Sequence, residues 1–129
     1  MRTAHTLIPS MYLVQGQPRL VCGTMGGEGQ PQTQAALVTR IVDRGLSPQA
    51  AVEAPRSLYG RTWGEESRSL SVESRFDRAV VDSLSARGHD VSVVKAWSDL
   101  MGHAQLIGVD ADGFTGGSDP RADGAALGT

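Results

Sequence analysis

Short apolar strands interleaved with helical stretches predict an α/β (α+β) domain whose strands pair antiparallel beneath helices. Three observations carry that reading. Residues 7 to 24 run apolar, turn, apolar, as a β-hairpin does. Two helical stretches follow between Gln30 and Ala54, each with its own stop or start signal. Residues from Ala104 onward repeat the strand–turn–strand pattern around Asp110-Ala111-Asp112-Gly113.

Taken in order, Leu7 to Val14 reads as the first strand, Gln15-Gly16-Gln17-Pro18 as a turn and Arg19-Leu20-Val21-Cys22 as the returning strand. Pro9, which cannot donate to a ladder, belongs at an edge or bulge. Gly23-Thr24-Met25-Gly26-Gly27-Glu28-Gly29 should break the second strand and lead through Pro31 into a helix. Ala35, Ala36, Val38, Ile41 and Val42 have helical spacing, and Gly45 stops that helix. Ser47-Pro48 starts a second helix that ends at Ala54-Pro55. Residues 56 to 68 read as irregular, and Leu70-Ser71-Val72-Glu73 as a short strand. Phe76, Val80, Val81 and Leu84 form an apolar stripe on a helix ending at Arg87-Gly88, and Val91 and Val93 begin another strand. The expected order is β-β-α-α-β-α-β-β-β, in a single or partial domain spanning residues 1–129.

Composition narrows the function classes. A net charge of −2 with no arginine cluster argues against a nucleic-acid partner. No apolar run is long enough to span a bilayer, so no membrane partner is expected. No secretory leader is visible and a cytoplasmic location is favoured. Cys22 is the single cysteine, set in an apolar strand, and reads as a buried small hydrophobe. With His5, His89 and His103 far apart, the spacing of zinc sites is missing; neither a metal nor another cofactor is expected. The 16 glycines mean frequent turns or close backbone approach.

The glycine-rich run is the first candidate for chemistry. Backbone amides between a strand and a helix N-terminus are unpaired and partly positive, which suits an oxyanion. A tight turn needing positive φ angles is the alternative. No Lys-Ser or Lys-Thr follows, so the nucleoside-triphosphate loop pattern fails, and the glycine spacing does not fit the dinucleotide fingerprint. His5-Thr6 offers a base and a hydroxyl, or an ordinary polar strand entrance. His103 and Gln105 should share a strand face, with His103 a satisfied structural histidine. Asp119-Pro120-Arg121 and Glu53-Ala54-Pro55-Arg56 each carry a carboxylate and a guanidinium suited to anchoring a chain end.

Together these segments resemble the γ-glutamyltranspeptidase family. Gly23 to Gln34 is similar to its Gly-(Ser/Thr)-x-Gly-Gly segment, in the bacterial form continuing Gly-Gln-Pro-Gln. Asp43 to Arg56 resembles the two-helix stretch ending in Ala-Pro-Arg, and Leu84 to Val91 the helix-Gly-His-x-Val element. Gly102 to Gln105 and Ser118 to Ala125 complete the series in order.

The resemblance implies the C-terminal part of the small subunit of an αββα N-terminal-nucleophile hydrolase. It implies cleavage of γ-glutamyl amides through an acyl-enzyme formed on a threonine upstream of the matched region. Gly26 and Gly27 match the oxyanion-hole pair, and His5, Thr6 and Thr24 are the expected substrate-binding residues. His5 and Thr6 stand where many members have Ser-Ser, and His5 departs from that pattern; glutaryl or cephalosporin-type acylase activity is therefore an alternative. The implied partners are the large-subunit and nucleophile-bearing segment and a γ-glutamyl small molecule, with homo-oligomerisation open. This chain alone is expected to be inactive. A non-catalytic remnant, or a binding or oligomerisation module of the same fold, is the other alternative.

Overall fold

The computed structural model describes residues 7–62, 64 and 66–128. The first hairpin joins β1 (Ser10–Val14) to β2 (Gln17–Met25) through Gln15 and Gly16, both with positive φ. That is the geometry a two-residue hairpin needs to match strand twist. Pro9 sits just before β1, so β1 starts later than the apolar run suggests. The register shifts between Tyr12 and Leu13, and Pro18 lies opposite Leu13 at that irregularity, where its missing N–H is tolerated.

β2 runs three residues beyond Cys22. Gly23, Thr24 and Met25 pair with Gln105, Ala104 and His103 of β6 (His103–Asp110), so the strand breaks at Gly26 and not at Gly23. β7 (Gly113–Ser118) completes an antiparallel sheet of order β1-β2-β6-β7.

Helices α1 (Gln30–Val42) and α2 (Pro48–Glu53) cover one face of this sheet. Gly45, at φ 67°, lets the chain leave α1 while its amide reaches the Ile41 carbonyl. Ser47 caps α2 by accepting from the Ala50 amide, with Pro48 at the first helical position. Leu20, Cys22, Ala104 and Leu106 point inward from the sheet to Leu37, Ala51 and Val52, and all are essentially buried. Cys22 is thus the small core hydrophobe that its strand context predicts.

A second sheet, order β3-β4-β5, departs from the expectation in two ways. β3 (Ser57–Tyr59) lies inside the segment read as irregular; three residues with one buried side chain, Leu58, are too short for period-2 alternation to register. β4 (Leu70–Glu73) pairs antiparallel with β3 but parallel with β5 (Val91–Val94). The crossover is α3 (Arg78–Ala86), capped by the Asp77 side chain. No residue of α3 is buried within this chain, although its stripe is apolar.

Among the described residues, nothing covers the outer face of the four-stranded sheet either. Met11, Val21 and Ile107 are register neighbours across three strands; Met11 and Ile107 are exposed, as are Met25 and, at 81%, Phe114. Contiguous exposed apolar surface of this kind marks an interaction face.

Candidate active site

The glycine segment lies where β2 leaves the sheet. Met25 opposite His103 is the last ladder pair. Gly26 then turns sharply, at φ 147°, and Gly27 follows at φ 51°, leading into a single 3-10 turn, Gly27–Gly29, that feeds α1. Both conformations are open to glycine and costly for other residues. Space imposes the same choice. A Cβ on Gly26 would stand 3.2 Å from the Gly102 Cα, and one on Gly102 would meet the Met25 carbonyl oxygen at 2.0 Å. Gly26 and Gly102 are therefore packed backbone on backbone. Gly102 opens the Gly-His-Ala-Gln segment noted in the sequence, which gave no sign that this glycine seats the loop.

The Gly29 amide closes the turn by donating to the Gly26 carbonyl, and the Glu28 amide reaches the Thr62 carbonyl at 3.4 Å. Among the described residues, no acceptor takes the amide of Gly26 or Gly27. Both glycines line a cavity of about 520 Å³, together with Leu7, Ile8, Met25, Glu28, Gln30, Pro31 and Thr62. Its walls are mostly apolar, which strengthens any hydrogen bond made inside. The rim at Ile8 is tied to α1: the Gln34 side chain donates to the Ile8 carbonyl and accepts from Ser10 Oγ. A larger depression of about 640 Å³ lies among Glu28, Gln32, Tyr59, Gly60, Arg61, Glu66, Ser67 and Arg68. It shares only Glu28 with the first and borders neither unpaired amide, so the smaller cavity is the better candidate site.

Of the other sequence-predicted site residues, His5 and Thr6 lie outside the described residues; they directly precede Leu7 on the cavity rim. Thr24 follows Leu20 and Cys22 on the inward side of β2, is buried, and does not line the cavity. His103 and Gln105 share a face of β6, as expected from strand periodicity. The reading of His103 as a satisfied histidine is corrected: its Nε2 is buried and has no hydrogen-bond partner among the described residues. No group of three or more His, Cys, Asp or Glu side chains among the described residues is placed to hold a metal.

The two charged motifs form one buried network. Arg56 Nη2 is 2.6 Å from Asp119 Oδ2, and Arg121 Nη1 is 3.0 Å from Asp119 Oδ1. Arg121 grips Glu73 with two donors, Nε at 2.7 Å and Nη2 at 2.6 Å. Glu73 also accepts from the amides of Arg56 and Ser98, and Arg75 joins it at 3.1 Å while stacking on Trp97, 3.4 Å from the ring centre. Burial works against ionisation of Glu73, yet the Arg121 hydrogen bonds, the Arg56 amide and the Arg75 contact hold its carboxyl below the usual range. Burial pushes the Arg56 guanidinium down to about 10, with Asp119 opposing that shift. Asp119-Pro120-Arg121 thus pairs internally as its residues suggest. The Glu53–Arg56 motif does not: Glu53 accepts from Gln49 on α2, and Arg56 turns instead to Asp119. Arg56 Nη1 further donates to the carbonyls of Met101 and Gly102, so the network underpins the seat of the glycine loop.

The helix-covered antiparallel sheet with a glycine turn at the end of one strand is shared with solved N-terminal-nucleophile hydrolases. The cephalosporin acylase from Bacillus halodurans superposes with a TM-score of 0.82 at 36% identity, over 96% of this chain and 22% of that one. The Gamma-glutamyltranspeptidase family model matches residues 1–129, and the chain belongs to that family. It is 52% identical over 128 residues to the glutathione hydrolase-like YwrD proenzyme of Bacillus subtilis, covering 98% of this chain and 24% of that protein. It is 46% identical over 125 residues to the oxamate amidohydrolase proenzyme of Klebsiella pneumoniae, covering 96% of this chain and again 24% of the relative. The chain therefore spans about a quarter of the length of these curated relatives.

Proposed function

We propose that this chain supplies the oxyanion-stabilising loop of an amide-cleaving acyl transferase or hydrolase, with Gly26 and Gly27 as the donors. The observation that carries the proposal is the pair of amides without acceptors, bordering a mostly apolar cavity at the end of β2. When a hydroxyl attacks an amide carbonyl, the carbonyl oxygen gains negative charge. Amides fixed beforehand by Gly26 and Gly27 stabilise that charge without reorganising. Collapse of the tetrahedral species expels the amine and leaves an acyl-enzyme, which water or an acceptor amine then relieves.

The attacking threonine belongs to a segment outside the matched region, and the substrate is a γ-glutamyl amide. His5 and Thr6, which precede the cavity-rim residue Leu7 in sequence, are the residues we take to contact the substrate carboxylate, on the resemblance to the family's Ser-Ser pair. Thr24, on the inward side of β2, acts on substrate only by fixing the strand end that carries Gly26. The uncovered row Met11, Val21 and Ile107, with Met25 and Phe114, provides an apolar surface on which the nucleophile-bearing segment docks. A second reading, an acylase for glutaryl or cephalosporin-type substrates, is favoured by the departure at His5 and by the likeness to the Bacillus halodurans acylase.

Two assays test the proposal. The chain alone should not hydrolyse γ-glutamyl-p-nitroanilide; clear turnover would overturn the division of labour. In the complete protein, Gly26→Pro should depress turnover by about 10²-fold or more. Undiminished turnover would defeat the donor assignment and favour a non-catalytic role for the loop. Comparing γ-glutamyl- with glutaryl-p-nitroanilide separates the two substrate readings.

A further inference from the structure

Resting on the oxyanion reading above, we infer that Arg61 is a positioning residue for the glycine turn: it clips and neutralises the Glu28 carboxylate, so that charge developing at the Gly26 and Gly27 amides is not opposed by an anion on the adjoining residue. The sequence Gly26-Gly27-Glu28 poses the problem directly. Glu28 borders the same cavity as the two glycines. The Glu28 side chain is 63% exposed, so an ionised carboxylate there repels a nearby oxyanion with a solvent-screened, modest force.

Arg61 answers it with two parallel bonds, Nε to Glu28 Oε2 at 3.0 Å and Nη2 to Oε1 at 3.2 Å, while its third nitrogen donates to the Gly64 carbonyl at 2.8 Å. The segment carrying Arg61 is itself fixed to the turn. The Thr62 carbonyl takes the Glu28 amide, and Thr62 Oγ1 donates to the Leu100 carbonyl. The Gln32 side chain mimics a strand neighbour, giving and receiving one bond each with the Tyr59 backbone. A Cβ on Gly29 would come within 2.9 Å of Leu58 Cδ1 and 3.4 Å of Thr62 Oγ1, so the segment is seated directly against the turn. Exposed ion pairs contribute little to stability, so the effect of this pair should be read in turnover and not in unfolding.

The test uses the full-length protein carrying this chain, with γ-glutamyl- and glutaryl-p-nitroanilide as probes. Arg61→Ala should lower kcat about fivefold with KM unchanged, the pattern of an interaction felt only in the transition state. Arg61→Lys should retain most of the activity. In a Glu28→Gln background, Arg61→Ala should have no further effect, because the charge to be neutralised is gone. At ~1 M salt the deficit should shrink. An equal loss in the Glu28→Gln background, a change confined to KM, or no loss at all overturns the inference. Replacing the Gly26 amide by a backbone ester separates the two levels. If the ester impairs turnover and Arg61→Ala does not, only the role of Arg61 falls. If the ester is fully active, the oxyanion reading falls and the role of Arg61 with it.

Discussion

The buried charge network and the glycine turn both contact Gly102 and treat their polar groups in contrasting ways. Around Glu73 and Asp119, each carboxylate is held by arginine donors and by backbone amides. At Gly26 and Gly27, backbone donors have no acceptor among the described residues, and both glycines line a cavity. Buried polar groups are normally paired, and both carboxylates obey that rule, although Arg56 Nε and Arg75 Nε have no partner among the described residues. The second region departs from that rule, and a departure of this kind is where function is expected. Arg56 connects the two, pairing with Asp119 and bonding the Gly102 carbonyl beneath the turn.

Breaking the network should give the largest effect. Arg121→Ala leaves Glu73 and Asp119 buried without their shared partner, and should destabilise the protein by about 3–5 kcal/mol in denaturant unfolding. A loss below about 1 kcal/mol would mean that the network is not what anchors the chain after β7. Gly102→Ala should be damaging for a different reason. Its Cβ would collide with the Met25 carbonyl oxygen in a backbone with φ 70°, so the turn must move. Turnover should fall more steeply than stability, and the reverse ranking would uncouple Gly102 from the site.

Acid sharpens the contrast further. The Glu73 carboxyl is held below its ordinary value, so the network's contribution is complete above the unfolded carboxylate range, near 4.5, and is lost as pH falls through the folded value. Unfolding midpoints should therefore be flat from pH 7 to about 5 and drop below about 4, with the drop reduced in Glu73→Gln. A decline that starts near neutrality would point to a different titrating group. The smallest expected change is the fivefold kcat effect at Arg61 described above.

Much of this was legible in the sequence. The hairpin at Gln15-Gly16, the helix stop at Gly45 and the Ser47-Pro48 start act through local backbone chemistry, and the structure has them there. The glycine turn was also legible, because positive φ angles at a strand-to-helix junction require glycine. Partners distant in sequence were not. Glu73 gave no local sign that it would collect Arg56, Arg75 and Arg121, and Arg56 sat beside a nearer carboxylate, Glu53, that it does not use. β3 was missed because a single buried residue, Leu58, identifies it. The extension of β2 through Gly23 depends on β6 lying opposite, which no local rule reports. Thr24 looked like a site residue in the motif, and strand alternation turned it inward.

The central claim is that the Gly26 amide donates to an oxyanion. Proline at that position also forces φ away from 147°, so it disturbs the turn as well as deleting the donor. A backbone ester at Gly26 in the full-length protein deletes the N–H and keeps the shape. Turnover of γ-glutamyl-p-nitroanilide should then fall about 10²-fold in kcat, with the unfolding midpoint unchanged. Wild-type kcat in a folded ester variant would contradict it.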